Sequence, residues 1–279
     1  MNIGQIPLAD WINSGVDWLS QFTGFFNSVT IFFQVIIDGI QWAFDFLPQW
    51  AFILVVLALT YWVKRGQKKI SFMVFEVLGL LLIWNLGYWR DMTQTLTLVL
   101  SSSLIAIVVG IPLGIWMAKS SRAEIVIKPI LDFMQTLPAF VYLIPAVSFF
   151  GIGMVPGVLA SVIFATPPTV RMTNLGIRQV PSDLIEVADS FGSTSWQKLI
   201  KLQLPLAKTT IMSGINQTMM LGLSMVVIAS MIGALGLGTQ VYFAVGRNDA
   251  GAGFAAGIAV VIVAIILDRI TQSFNKTSK

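Results

Sequence analysis

Neither histidine nor cysteine occurs among the 279 residues. That excludes Ser-His-Asp and Cys-His nucleophilic catalysis, histidine- or thiolate-ligated metals, and disulfides. No GxxxxGK[ST] segment is present, and no GxGxxG follows a strand, so nothing cradles a nucleotide. The chain is expected to be no enzyme and to carry no cofactor or metal of its own. The residues that could do work lie between Asp183 and Pro205. This stretch carries Asp183, Glu186, Asp189, Lys198 and Lys201, with Lys208 just beyond, and apolar sequence flanks it on both sides. Ser182 can cap a helix beginning at Asp183, with Asp183 and Glu186 near its positive end. Ile185, Ala188 and Phe191 would lie towards one side. Gly192 allows the left-handed residue that ends such a helix. Ser193 or Thr194 then caps a second short helix, Ser195 to Lys201, which Pro205 closes. The product is a helix–turn–helix elbow. A solvated loop is the plainer reading, but it has no need of Phe191, Trp196, Leu199, Ile200 and Leu202; apolar side chains there suggest docking into the groove of a soluble partner.

Other polar groups sit inside apolar runs, where ionisable residues are functional candidates. Asp132, near Lys128, and the pair Asp268 and Arg269 lie close enough to a span end to snorkel or pair. Glu76 alone is deep, which leaves a coupled-proton role open. Asn216, Gln217, Thr218 and Ser224 form a polar patch that reads equally as a translocation path or as helix–helix hydrogen bonding. Pro138, Pro145, Pro167 and Pro168 must interrupt helix hydrogen bonds, which is tolerated where protein or a watery cavity covers the freed carbonyls. Gly110/Gly114 and Gly253/Gly257 are GxxxG pairs that let helix backbones approach. Gly233 to Gly238 reads as a turn at the outer end of a span.

The elements that position these groups are membrane helices. The composition is 56% hydrophobic and 11% charged, with a mean hydropathy of +0.82, too apolar for a soluble core of this size, so the bilayer is the solvent. The net charge of +4 does not signal nucleic-acid binding; the location of the basic residues matters more than their sum. Residues 1–47 contain no Lys or Arg, unlike a secretory signal. From Phe22 the apolar residues fall on one helical face, with Asn27, Gln34, Asp38, Gln41 and Asp45 opposite, and this predicts an interfacial amphipathic helix. A spanning helix with a protein-facing polar stripe is the alternative. Seven spans follow: Ala51–Val63, Ile70–Trp89, Leu96–Ala118, Ile125–Phe150, Val158–Val170, Ala207–Ile232 and Ala255–Ile270. With the N-terminus outside, fifteen of the seventeen basic residues fall inside, including Lys64, Arg65, Lys68, Lys69, Lys276 and Lys279, and only Arg90 and Arg247 fall outside. The expected organisation is an N-terminal extension over 1–47, two accessory spans over 48–91, a core over 92–273 containing the loop 182–205, and a cytoplasmic tail over 274–279.

Glu186-Val-Ala188, three residues, Gly192, nine residues and Leu202-Gln-Leu204-Pro205 resemble the cytoplasmic loop of permeases in binding-protein-dependent ABC importers. Val187 and Leu202 are mild departures from that pattern. Gln135 to Pro145, Phe150 to Gly153, Pro167 to Pro181 and Gly214 to Thr218 resemble the glycine betaine/proline betaine subfamily, over roughly residues 48–273. The resemblance implies an all-α, type I ABC importer transmembrane fold in a bacterial cytoplasmic membrane. It implies two copies of this chain, and two ATP-binding subunits that bind ATP and Mg and grip the elbows through Glu186, Ala188, Asp189, Phe191, Gly192, Leu204 and Pro205. It also implies an extracytoplasmic binding protein, expected as a separate chain, that carries the aromatic cage for a quaternary ammonium. Choline, carnitine or an amino acid are alternative solutes. An ion-coupled secondary transporter is the rival class; it predicts inverted repeats and buried charges, and neither is evident. The N-terminal helix is expected to brace the permease dimer.

Overall fold

The computed structural model of the chain describes residues 7–63 and 69–275, so Lys64, Arg65, Lys68, Lys276 and Lys279 of the charge count lie outside the described residues. In a solvent that cannot satisfy backbone groups the helix is the self-sufficient element, and no strand occurs among the described residues. In order the elements are α1 (Leu8–Ser20), α2 (Thr23–Asp45), α3 (Gln49–Val63), α4 (Lys69–Asn85), α5 (Trp89–Lys119), α6 (Ser121–Thr136), a 3-10 turn (Ala139–Tyr142), α7 (Leu143–Phe150), α8 (Met154–Arg178), α9 (Ser182–Ser190), α10 (Ser195–Lys198), a π turn (Leu199–Gln203), α11 (Leu204–Ser230), α12 (Leu237–Gly246) and α13 (Ala250–Asn275).

Helix α8 packs against α5 and against α11 more extensively than any other pair of elements, and α5 also meets α11. Small residues permit it. A Cβ on Gly110 would lie 2.9 Å from Thr169 Cγ2, and one on Gly114 would lie 2.6 Å from the Val170 carbonyl oxygen, so this GxxxG pair is a close-packing seam. The second pair behaves differently: nothing lies within 4 Å of a Cβ on Gly257, and Gly253 would meet only Ala244 Cβ, at 3.4 Å. Phe33, Ile37, Phe52, Val56, Leu80, Ile83 and Val263 extend the core outward to α2, α3, α4 and α13.

By length and composition, four helical stretches can cross a membrane: Thr23–Asp45, Trp89–Lys119, Ser195–Ser230 and Ala250–Ser273. A fifth is counted if Ser121–Thr136 and Ala139–Phe150 are one broken span. Boundaries differ from the sequence reading throughout, with Trp89 opening α5 and not closing the span before it, and three differences matter most. The N-terminal helix α2 has the length and apolarity of a span and packs against α5, α7 and α8 of its own chain; its Gln41 accepts from Thr97 Oγ1 at 2.8 Å, so part of the polar stripe faces protein. The stretch 125–150 is not straight: it bends by 108° at Leu137–Pro138, where the Tyr142 hydroxyl donates to the Met134 carbonyl freed by the break. The helix expected to stop at Arg171 runs unbroken through Pro167 and Pro168 to Arg178.

Two elements had no counterpart in the expected set. Helix α1 is amphipathic, with Leu8, Trp11, Ile12, Trp18 and Leu19 all exposed. Helix α12 lies inside the glycine-rich segment between the last two spans. Its first amide, Leu237 N, donates to Thr95 Oγ1 at 2.8 Å, and Gln240 Nε2 donates to Asp91 Oδ2 at 3.0 Å, which ties it to the Trp89 end of α5.

Candidate functional site

The elbow forms, with changes at both ends. Helix α9 begins at Ser182 with Pro181 at the cap position, and no side chain caps it, so the expected Ser182 cap is not made. Its C-terminus is a Schellman turn: Ser193 N donates to Ala188 O at 3.0 Å and Gly192 N donates to Asp189 O at 2.8 Å, with Gly192 at φ +73°. Thr194 then builds a capping box with Gln197: Gln197 N donates to Thr194 Oγ1 at 3.2 Å, and Thr194 N donates to Gln197 Oε1 at 2.8 Å. An ion pair from Lys198 to Asp189 joins the two arms. Glu186 is exposed, and its backbone carbonyl accepts from Ser190 Oγ at 2.9 Å.

Pro205 does not close the second arm. The stretch Ser195–Ser230 is one helix of 36 residues. A proline inside a helix lacks the N–H of its turn and crowds the preceding one. Here the five residues before α11 widen into a π turn, with Leu204 N donating to Leu199 O, and Pro205 falls in the first turn of α11, a position proline tolerates. The π turn is anchored from the other side by Lys119 Nζ, which donates to Gln203 Oε1 at 2.8 Å across 84 residues of sequence.

The apolar side chains divide into two sets. Leu199 is buried with Ile177, Ala207 and Ile211, and Leu204 packs against the same cluster; these two face the chain's own core and not a partner. Phe191 is 86% exposed and Trp196 68%, and Leu184, Val187 and Ile200 are also exposed. Leu184, Val187, Ala188, Phe191 and Lys201 border a concavity of about 530 Å³ in the crook of the elbow. Exposed aromatics around a concave surface next to a charged helix are what a groove-docking element presents.

The same end of the molecule is held by ion pairs the sequence did not resolve. Asp132 pairs with Arg171 at 2.5 Å, not with Lys128. Glu124 pairs with Arg178 at 2.7 Å, and Arg178 also donates to the Met117 carbonyl at 2.9 Å. The pairs run antiparallel and zip α6 to α8. The i, i+7 spacing of Arg171 and Arg178 was the available signal; the partner helix was not.

The polar patch separates. Thr218 is fully buried and bonds Ala165 O at 2.8 Å and Thr169 Oγ1 at 2.7 Å. Asn216 Nδ2 donates to Asp268 at 2.9 Å. Both are helix–helix glue. Gln217 and Ser224, seven residues apart, share an exposed face of α11. Glu76 is buried and accepts from Thr60 Oγ1 at 2.5 Å, joining α4 to α3.

The chain superposes on an inward-facing crystal form of the MetNI methionine ABC transporter with a TM-score of 0.61 at 21% identity, over 67% of this chain and 95% of that one, so the two share a fold. The family described as binding-protein-dependent transport system inner membrane component matches residues 110–278, and the chain belongs to that family. It is 71% identical to the glycine betaine/carnitine transport permease protein GbuB of Listeria monocytogenes, over 100% of this chain and 99% of that protein. It is 53% identical to the glycine betaine transport system permease protein OpuAB of Bacillus subtilis, over 99% and 96%. It is 48% identical to the glycine betaine/proline betaine transport system permease protein ProW of Escherichia coli, over 98% and 77%. The chain is therefore a multi-pass permease subunit of the cytoplasmic membrane, from a family that works with ATP-binding subunits and a substrate-binding protein.

Proposed function

We propose that this chain is the translocating subunit of an ATP-driven importer of glycine betaine and related betaines, serving osmoprotection. The similarity to three betaine permeases over nearly the whole chain supports the solute class. Carnitine is the second solute, favoured by the printed name of the relative at 71% identity. Two copies form the pathway, and each presents its elbow to one of two ATPase subunits, which bind the ATP and Mg. The N-terminus lies outside and the C-terminus in the cytoplasm, as the basic-residue distribution favours.

The observation that carries the mechanism is the continuity of the second arm with α11. Closure of the ATPase dimer around ATP moves the elbow, and a 36-residue helix passes that movement along about 54 Å. Asp189, through its ion pair with Lys198, and Gly192, at positive φ, fix the shape of the elbow; the exposed Glu186 carboxylate meets the ATPase, and Phe191 with the adjoining Ala188 fills the partner's groove. Leu204 and Pro205 hold the arm to the core. Gln217 and Ser224, on the open face of α11, border the path. The test is reconstitution with the cognate ATPase and binding protein, followed by radiolabelled glycine betaine. Uptake only with ATP supports the reading. Uptake without ATP, or of carnitine alone, overturns the energy source or the solute respectively.

A further inference from the structure

At the end of α5 away from the elbow, a pocket of about 510 Å³ opens where α2 gives way to α3. It is lined chiefly by Phe44, Asp45, Pro48, Trp89, Arg90 and Thr93, and its volume lies within the range of small-ligand sites. It contains one carboxylate and one guanidinium, and among the described residues no ion pair joins Asp45 to Arg90. The acid is placed by a relay. Gln41 Nε2 donates to Asp45 Oδ1 at 2.9 Å, and Gln41 Oε1 accepts from Thr97 of α5 at 2.8 Å. The aromatic walls are fixed as well: Phe52 meets Phe44 edge-on at 5.7 Å and Trp89 at 5.4 Å, and Trp84 backs Trp89 at 6.2 Å. Pro48 lies in the break between α2 and α3 and lines the pocket.

We propose that this pocket binds a small zwitterion. Its ammonium or quaternary ammonium end lies against Asp45 and the Phe44 and Trp89 walls, which attract a cation through charge and ring quadrupole. Its carboxylate or phosphate end lies on Arg90, whose planar guanidinium suits either group. The ligand is a free betaine-type solute or a zwitterionic phospholipid headgroup, which share this chemistry. The site goes beyond the solute reading above, which leaves recognition of the solute to the binding protein.

The test uses the permease–ATPase complex without binding protein. In one arm it is held in discs of phosphatidylglycerol alone and titrated with radiolabelled glycine betaine by equilibrium dialysis. In the other it is held in mixed phosphatidylethanolamine and phosphatidylglycerol, and the phosphatidylethanolamine retained after delipidation is counted. Saturable binding is expected in at least one arm, and that arm identifies the source. Asp45→Asn and Arg90→Gln, both at exposed positions, are each expected to weaken it about tenfold or more, the effect of losing one charge-assisted contact, with melting of the complex unchanged. No saturable retention in either arm, or retention that both variants leave intact, overturns the site. ATP-driven uptake by the same complex with binding protein restored is measured in parallel, so the pocket can fail while the transport reading stands.

Discussion

At the scale of single residues, Gly192 sets the backbone geometry of the elbow. At φ +73° a side-chain-bearing residue incurs about 1–2 kcal/mol of strain, more if β-branched. Gly192→Val therefore opens the Schellman turn and misplaces Phe191 and Trp196 relative to each other. The variant is expected to insert and fold, because the strain is local and at the surface, yet to lose uptake. A variant missing from the membrane would instead mean that the elbow is needed for folding. Thr218 is the opposite kind of residue, buried and structural. Thr218→Val leaves the Ala165 carbonyl without that donor and should cost about 1–3 kcal/mol, read as a lower melting temperature of the purified protein with transport per folded molecule unchanged. Gly114→Leu should be harsher, because a Cβ already lies 2.6 Å from the Val170 carbonyl oxygen and that backbone has nowhere to move; loss of folded protein in a detergent gel-filtration trace is the expected outcome.

At the scale of elements, the π turn at Leu199–Gln203 sets the rotation of the elbow about the α11 axis. Deleting the exposed Ile200 converts it to a regular turn and rotates everything N-terminal to it by about 100°, turning Phe191 and Trp196 away from their docking face. The expected result is normal insertion with ATPase no longer recovered in pull-downs; retained binding would mean that the rotation is not what the partner reads. The elbow was legible in the sequence because its signals are local. Gly192 marks the left-handed residue, Ser193 and Thr194 offer the cap of the second arm, and the spacing of Glu186, Gly192 and Pro205 is long and specific. What was not legible depends on distant partners. Pro205 reads as a terminator unless the π turn and the Lys119–Gln203 contact are known. Leu199 and Phe191 look alike in sequence, and only packing separates the core residue from the exposed one. Asp132 has Lys128 one turn away, yet its partner is Arg171 on another helix. Helix α12 was hidden because Gly233, Gly236 and Gly238 signal a turn more strongly than ten residues signal a helix.

At the scale of the whole molecule, the ends of α5 divide the work. One end is tied to α12 through Asp91 and Thr95, and beside it lies the zwitterion pocket. The other end meets the π turn through Lys119 and α8 through the Met117 carbonyl. Between them lies the α5–α8–α11 seam, closed by glycines and threonines, through which the proposed movement would pass from the elbow to the far face. The measurement that bears most directly on this account is the ratio of glycine betaine imported to ATP hydrolysed, in liposomes containing permease, ATPase and binding protein. Glu186→Lys and Gly192→Val are predicted to keep hydrolysis while the ratio collapses. An unchanged ratio in both variants would contradict the elbow as the coupling element.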